Sequence, residues 1–239
     1  MNTPTKLAID TVLFDLDGTL VDSMPELAYC SNQSLDEMGR ATLPIETLST
    51  FVGKGLDRLI IRFLANDINA SSVEPELFKQ AKAIFNRHYH ANNGVFSELY
   101  PKVIETLQRL QDRGFKLAVV TNKAMEFTIP LLEKKGISHY VNVVVGGDSC
   151  AHKKPHPAPI LLALEQLNST VDSAVFVGDS LNDAQAAEAA GLPCLILPYG
   201  YNEGQAISKP ESGDLVKDMM AVIDWIEIEN SKRSQTNKS

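Results

Sequence analysis

"VLFDLDGTLVDS" (residues 12–23) decides how the chain is read. Three apolar residues of strand type end abruptly in two carboxylates one residue apart, Asp15 and Asp17, followed by Gly18 and Thr19. Acids at a strand end repel each other unless a metal, a basic partner or a proton holds them. The stretch therefore poses two questions: what lies beside this strand, and what cation the acids face.

Four further runs share its pattern: KLAVV (116–120), VNVVV (141–145), AVFV (174–177) and CLIL (194–197). Like TVLF (11–14), each leads into a polar or glycine-bearing turn, as buried parallel strands do. Helix patterns lie between them. Pro101 opens PKVIETLQRLQDRG and Gly114 closes it, and NDAQAAEAAG ends at Gly191. In AMEFTIPLLEKKG, Pro130 is expected to kink the helix or restart it. Alternating strands and helices predict an α/β fold with a Rossmann-like parallel sheet and right-handed crossovers.

Residues 23–93 break this alternation. They hold no convincing strand, and ELFKQAKAIFNRHYHAN sets Leu77, Ala81, Ile84, Phe85 and Tyr89 at helical spacing. Because this helical stretch falls after the first strand and before the second, it is an insertion rather than an appended domain. The expected division is an α/β core over residues 1–22 and 94–228, a helical insert over 23–93, and a disordered polar tail over 229–239.

Composition narrows the partners. Lys and Arg number 22 against 30 Asp and Glu, a formal charge of -8, which argues against nucleic acid or an anionic membrane. No apolar stretch reaches the ~20 residues of a membrane span. Three scattered cysteines, Cys30, Cys150 and Cys194, suit a reducing compartment. The expectation is a cytoplasmic protein, a monomer or weak homo-oligomer, in which any anion is held by a local site; the strand-end residues and the motif resemblance below add a small phosphorylated metabolite as partner.

Chemically useful residues fall where strands end. Asp15 and Asp17 follow the first strand, Thr121 and Asn122 the second, and GDSLND (178–183) the fourth. In an open parallel sheet that edge binds ligands, so residues distant in sequence converge there. HKKPHPAP (152–159) adds Lys153 and Lys154 ahead of a proline-started helix. Mg²⁺ takes a few carboxylates plus substrate phosphate, which Asp15, Asp17 and Asp179 could supply. Thr121 and Lys154 would hold phosphoryl oxygens, and an aspartate can act as nucleophile toward phosphorus.

In order, DLDGTLVDS, TNK, KKPHP and GDSLND resemble the four motifs of the haloacid dehalogenase-like phosphohydrolases, and the insert matches that superfamily's cap. The resemblance implies that Asp15 is the nucleophile, forming an aspartyl-phosphate, and that Asp17 is the acid that protonates the leaving alcohol and then activates water. It implies that Gly18 and Thr19 present backbone amides to the phosphate. It further implies that Asp179 binds Mg²⁺ together with Asp15 and, through its carbonyl, Asp17, while Asp183 coordinates or supports. VVTNK, VVVGGD, KKPHPAP and PYGYNEG together are similar to the bacterial phosphoglycolate phosphatases, which implies 2-phosphoglycolate as substrate.

In the insert, FVGKGLDRL (51–59) flanks Lys54 with Gly53 and Gly55 at the apparent start of a helix. That geometry suits anion capture by Gly53 amides and the Lys54 ammonium, and equally suits an ordinary turn with an exposed lysine. Other readings stay open: a sugar-phosphate phosphatase or mutase, a pyrophosphatase, a dehalogenase, or a phosphoacceptor signalling module. A receiver module needs neither a second acid two residues after its phosphoacceptor nor an inserted cap.

Overall fold

The computed structural model describes residues 8–236. β1 (Thr11–Phe14) is central in a six-stranded parallel sheet. β2 (Val21–Asp22) follows, and then four helices of the insert: α1 (Met24–Glu37), α2 (Ile45–Thr50), α3 (Leu56–Ala65) and α4 (Pro75–Asn92). β3 (Glu98–Leu99) pairs antiparallel with β2, so the two chain crossings into and out of the insert are clipped together. The chain continues through α5 (Val103–Asp112), β4 (Lys116–Val120), α6 (Met125–Lys134), β5 (Val143–Val145) and α7 (Ala158–Gln166). It closes with β6 (Ala174–Gly178), α8 (Leu181–Ala190), β7 (Cys194–Ile196), β8 (Gly213–Leu215) and α9 (Ala221–Thr236). The sheet order is β5-β4-β1-β6-β7-β8.

Strand alternation sorts the core into two layers. Val12, Phe14, Leu117, Val119, Val175 and Val177 face α5, α6 and α9. Leu13, Ala118, Val120, Ala174 and Phe176 face α7 and α8. Both sheet faces are buried, which is why the strands read as unbroken apolar runs. A third cluster fills the insert, where Leu35, Phe63 and Phe85 pack with Phe127 and Tyr201 of the core. The insert's interior is thus continuous with its contact on the sheet.

Four local expectations change. The run at 141–145 forms a strand only from Val143: exposed Asn142 meets β4 through its amide, which bonds the Leu117 carbonyl at 2.8 Å, and through its side chain, whose Oδ1 accepts from Leu117 N at 2.8 Å. β8, with the sequence GDL, carries no strand signal. Of the two outcomes expected at Pro130, a kink or a restart, the restart does not occur: α6 runs through it. The tail expected to be disordered over 229–239 is helical through Thr236. Two anchors account for this. Asn230 exchanges hydrogen bonds with the backbone of Ile9 at 2.6 and 3.0 Å, and buried Arg233 donates to the Asp172 carbonyl at 2.5 Å. Residues 237–239 lie outside the described residues. No helix among the described residues is long and apolar enough to cross a membrane.

Candidate active site

Strand ends build the floor of the site. The Asp15 amide bonds the Val177 carbonyl of β6 at 2.9 Å, extending the ladder one residue past β1 and fixing where the carboxylate leaves the sheet. Thr121 is fixed in the same way past β4 by a 2.9 Å bond to Val145. Asp179 follows β6 directly. One carboxylate oxygen each from Asp15, Asp179 and Asp183 lie within 4.8 Å of one another.

Lys154 holds two of these acids. Its Nζ lies 2.7 Å from Asp183 Oδ1 and 2.8 Å from Asp15 Oδ1. The second contact is an ion pair without hydrogen-bond alignment, so Asp15 Oδ1 is buried with no aligned donor. Asp183 is also the third residue of α8, and its Oδ2 accepts from the Ser180 amide at 3.1 Å and the Ser180 hydroxyl at 2.7 Å. One residue therefore caps the helix and aims the lysine.

Asp179 accepts from Thr19 Oγ1 at 2.6 Å and from the Tyr201 amide at 2.7 Å. Space for it comes from two glycines with positive φ: a Cβ on Gly18 or on Gly200 would lie 2.3 Å from Asp179 Oδ2. This corrects the expected role of Gly18 and Thr19. Their amides turn inward, Gly18 N to the Val21 carbonyl at 2.9 Å and Thr19 N to the Leu16 carbonyl at 3.3 Å. The pair accommodates and orients Asp179 instead of meeting an anion.

Crowding acids in a dry site raises their pKa values. Burial pushes Asp15 up to about 7, opposed by Lys154 and reinforced by Asp183. Burial, then Asp183 and Asp15, push Asp179 well above the carboxylate range. Lys154 is held above the ordinary lysine value because Asp15 and Asp183 outweigh its own burial, which acts to lower it.

Asp17 stands apart from this cluster. Lys123 Nζ spans its carboxylate at 2.8 and 3.0 Å, and Ser23 Oγ donates to the same Oδ1. The Asp17 carboxylate is therefore drawn toward the insert and away from the other three acids, so a metal contact from Asp17 is left to its carbonyl, as the motif resemblance implies. Lys123 was missed in the sequence, although it completes TNK, because nothing local shows that an acid 106 residues away is its partner.

A cavity of about 70 Å³ lies between floor and insert. Asp15, Asp17, Thr121, Asn122 and Asp179 line it from below, and Val52, Gly53, Leu56 and Tyr89 from above. Lys154, Asp183, Gly18 and Thr19 stand behind the lining. Asn122, expected to bind substrate, also acts as a strut: its amide donates to the carbonyls of Gly53 and Lys154, both at 3.0 Å. Lys54 is turned away. Its Nζ pairs with Glu203 Oε2 at 3.1 Å, and Glu203 also takes buried Arg62 at 2.9 Å. Glu203 adopts a left-handed backbone (φ 50°) in this loop.

These residues fit a divalent cation. Three converging carboxylates, an Asp15 oxygen without an aligned donor and acids driven toward protonation describe a site short of positive charge.

Comparison with known proteins agrees with this geometry. The family profile described as haloacid dehalogenase-like hydrolase matches residues 12–197. A phosphoglycolate phosphatase of Nitrosospira multiformis is 44% identical over 201 residues, covering 84% of this chain and 88% of that protein. One of Aliivibrio fischeri is 42% identical over 211 residues, covering 88% and 92%. A crystal structure described as a predicted phosphoglycolate phosphatase from Haemophilus somnus superposes with a TM-score of 0.82 at 35% identity, covering 90% of this chain and 97% of that one. The chain belongs to the haloacid dehalogenase-like hydrolases.

Proposed function

We propose that this protein is an Mg²⁺-dependent phosphatase that hydrolyses 2-phosphoglycolate to glycolate and phosphate. The observation that carries the reading is the convergence of Asp15, Asp179 and Asp183 within 4.8 Å beside Lys154, with Asp17 on the same cavity wall. The names of the relatives support the substrate.

Asp15 attacks phosphorus, and the ester bond breaks as Asp17 gives a proton to the leaving oxygen. Asp17 then takes a proton from the water that hydrolyses the aspartyl-phosphate. The Thr121 hydroxyl, which accepts from Lys123 N at 3.2 Å, keeps its own hydrogen for a phosphoryl oxygen. Lys154 orients Asp15 and offsets the charge of its neighbours. Asp15, Asp179 and Asp183 would hold Mg²⁺, which when bound draws charge from the phosphoryl oxygens. Residues 23–93 act as a cap that excludes water and selects the leaving group. The protein's three unpaired cysteines, Cys30, Cys150 and Cys194, suit the cytoplasm.

The test is a substrate panel of 2-phosphoglycolate, sugar phosphates, nucleotides, pyrophosphate and phosphoserine, assayed with EDTA and with Mg²⁺ restored. Activity should vanish with EDTA, return with Mg²⁺, and be highest in kcat/KM for 2-phosphoglycolate. A sugar phosphate leading by tenfold would defeat the substrate assignment. Full turnover in metal-free buffer would defeat the carboxylate site.

A further inference from the structure

Among the described residues, Lys123 is the single cation that lines the cavity. Its Nζ is chelated by both Asp17 oxygens and lies 5.0 Å above the Tyr89 ring of α4. Tyr89 is buried in the same wall, and its hydroxyl has no partner in hydrogen-bond geometry, although Lys123 is near enough to act on its charge. The rest of this end is apolar, formed by Leu27, Val52, Leu56, Leu59 and Phe127. Two lysines therefore serve the site in different ways. Lys154 pairs with Asp15 behind the lining, and Lys123 pairs with Asp17 in the lining itself, beside the acid assigned to the leaving oxygen.

Asp17 cannot serve the leaving oxygen in this arrangement. An ammonium spans both its oxygens and the Ser23 hydroxyl adds a third donor, so the carboxyl has to be released before it can protonate anything. Release leaves a buried ammonium that has lost its partner, which is strongly unfavourable unless another anion replaces Asp17.

We propose that Lys123 is the specificity residue and that it works by exchanging anions. A carboxylate two atoms beyond the ester oxygen takes the Lys123 ammonium, with the Tyr89 hydroxyl as a further donor, and so frees Asp17. The freed carboxyl, protonated from solvent, gives its proton to the leaving oxygen. The bond from an Asp15 oxygen to phosphorus forms, the phosphorus–oxygen ester bond breaks, and its electron pair goes to that oxygen. A neutral leaving group cannot displace Asp17, so it is bound but turned over slowly. Discrimination therefore falls on kcat as well as KM. This rests on the phosphatase reading above, and assigns to that site the acidic class of leaving group and the residue that reads it.

The experiment compares 2-phosphoglycolate with its uncharged amide, which has nearly the same shape, on the unmodified enzyme and on Lys123→Met and Lys123→Arg. In the unmodified enzyme kcat should fall by tenfold or more from acid to amide. In Lys123→Met that ratio should collapse toward one, and in Lys123→Arg, which keeps the charge, it should partly return. Equal kcat for acid and amide in the unmodified enzyme, with only KM changed, overturns the exchange whether or not the variants fold. A Lys123→Met enzyme that keeps the full kcat ratio overturns the assignment of Lys123. Failure of the phosphatase reading is distinguishable, because then neither compound is turned over by the unmodified enzyme.

Discussion

Lys154 and Lys54 both read from sequence as anion holders, and the structure separates them. Lys154, on the core side, has a side chain 2% exposed and sits between Asp15 and Asp183. Lys54, on the insert, is 41% exposed and is held by Glu203 outside the cavity. Lys154 lies nine residues past β5, and its backbone is tied to Asn122, the neighbour of the ladder-fixed Thr121: Lys154 N donates to Asn122 Oδ1 at 2.9 Å and the Lys154 carbonyl accepts from the Asn122 amide at 3.0 Å. A residue on a loop of the insert is placed by whatever the core presents beneath it. The first position is one contact removed from the sheet register, and the second rests on tertiary contact alone.

The floor side of this comparison predicts the largest effect. In the proposed mechanism Asp15→Asn removes the charge of the attacking oxygen while keeping shape and the ladder bond of its amide. Turnover of 2-phosphoglycolate should drop to the buffer background, with far-ultraviolet circular dichroism unchanged. Substantial activity in a folded variant would take Asp15 out of the mechanism and with it the claim that strand ends dictate the chemistry.

The same contrast explains what was legible. Asp15, Thr121, Asp179 and Asp183 were readable because each lies within a few residues of an apolar strand run, and Lys154 because it stands just ahead of a proline-started helix. The role of Gly18 was not readable, since its need for space arises from a carboxylate that is remote in sequence. Lys123 lies in the same motif as Thr121, yet its partner Asp17 and its neighbour Tyr89 come from elements joined only by packing. The helix through Thr236 was hidden in polar composition because its anchors, Ile9 and Asp172, lie at the far end of the chain and across the sheet.

The second prediction concerns the metal-free protein and has an intermediate effect. Asp15 and Asp179 have folded-state pKa values raised above the unfolded range near 4, Asp15 to about 7 and Asp179 also upward, through burial first. Raised carboxylates bind protons preferentially in the folded state, so their contribution is complete below about pH 4 and is lost as pH climbs through about 7. In EDTA, Tm should therefore fall between pH 5.5 and pH 8. A loss of about 2 kcal/mol corresponds to roughly 4–8 °C for a chain of this size. Saturating Mg²⁺ should raise Tm more at pH 8 than at pH 5.5, and Asp179→Asn should flatten the metal-free slope. A Tm that climbs across this window would mean that the floor carboxylates are satisfied without a cation.

The smallest expected effect belongs to Lys54, and it is the sharpest test of the insert side. Glu203 takes two cations, but Arg62 is 3% exposed and also donates to the Phe51 carbonyl at 2.9 Å, whereas Lys54 reaches Glu203 from solvent. Removing Lys54 leaves the buried pair and the Asn122 bond to Gly53 to seat the loop. An exposed pair of this kind is worth about 0–1 kcal/mol. Lys54→Ala should therefore change kcat/KM for 2-phosphoglycolate by less than about fivefold, which is the same range expressed as a rate ratio. It should leave the preference for the acid over its amide intact. Glu203→Gln should cost more, because it weakens the partner of a buried guanidinium. If Lys54→Ala instead lowered the acid's kcat/KM tenfold while sparing the amide, Lys54 would be reading the substrate. The insert would then be legible from its local glycine and lysine pattern after all, and the division between floor and insert drawn from these two lysines would fall.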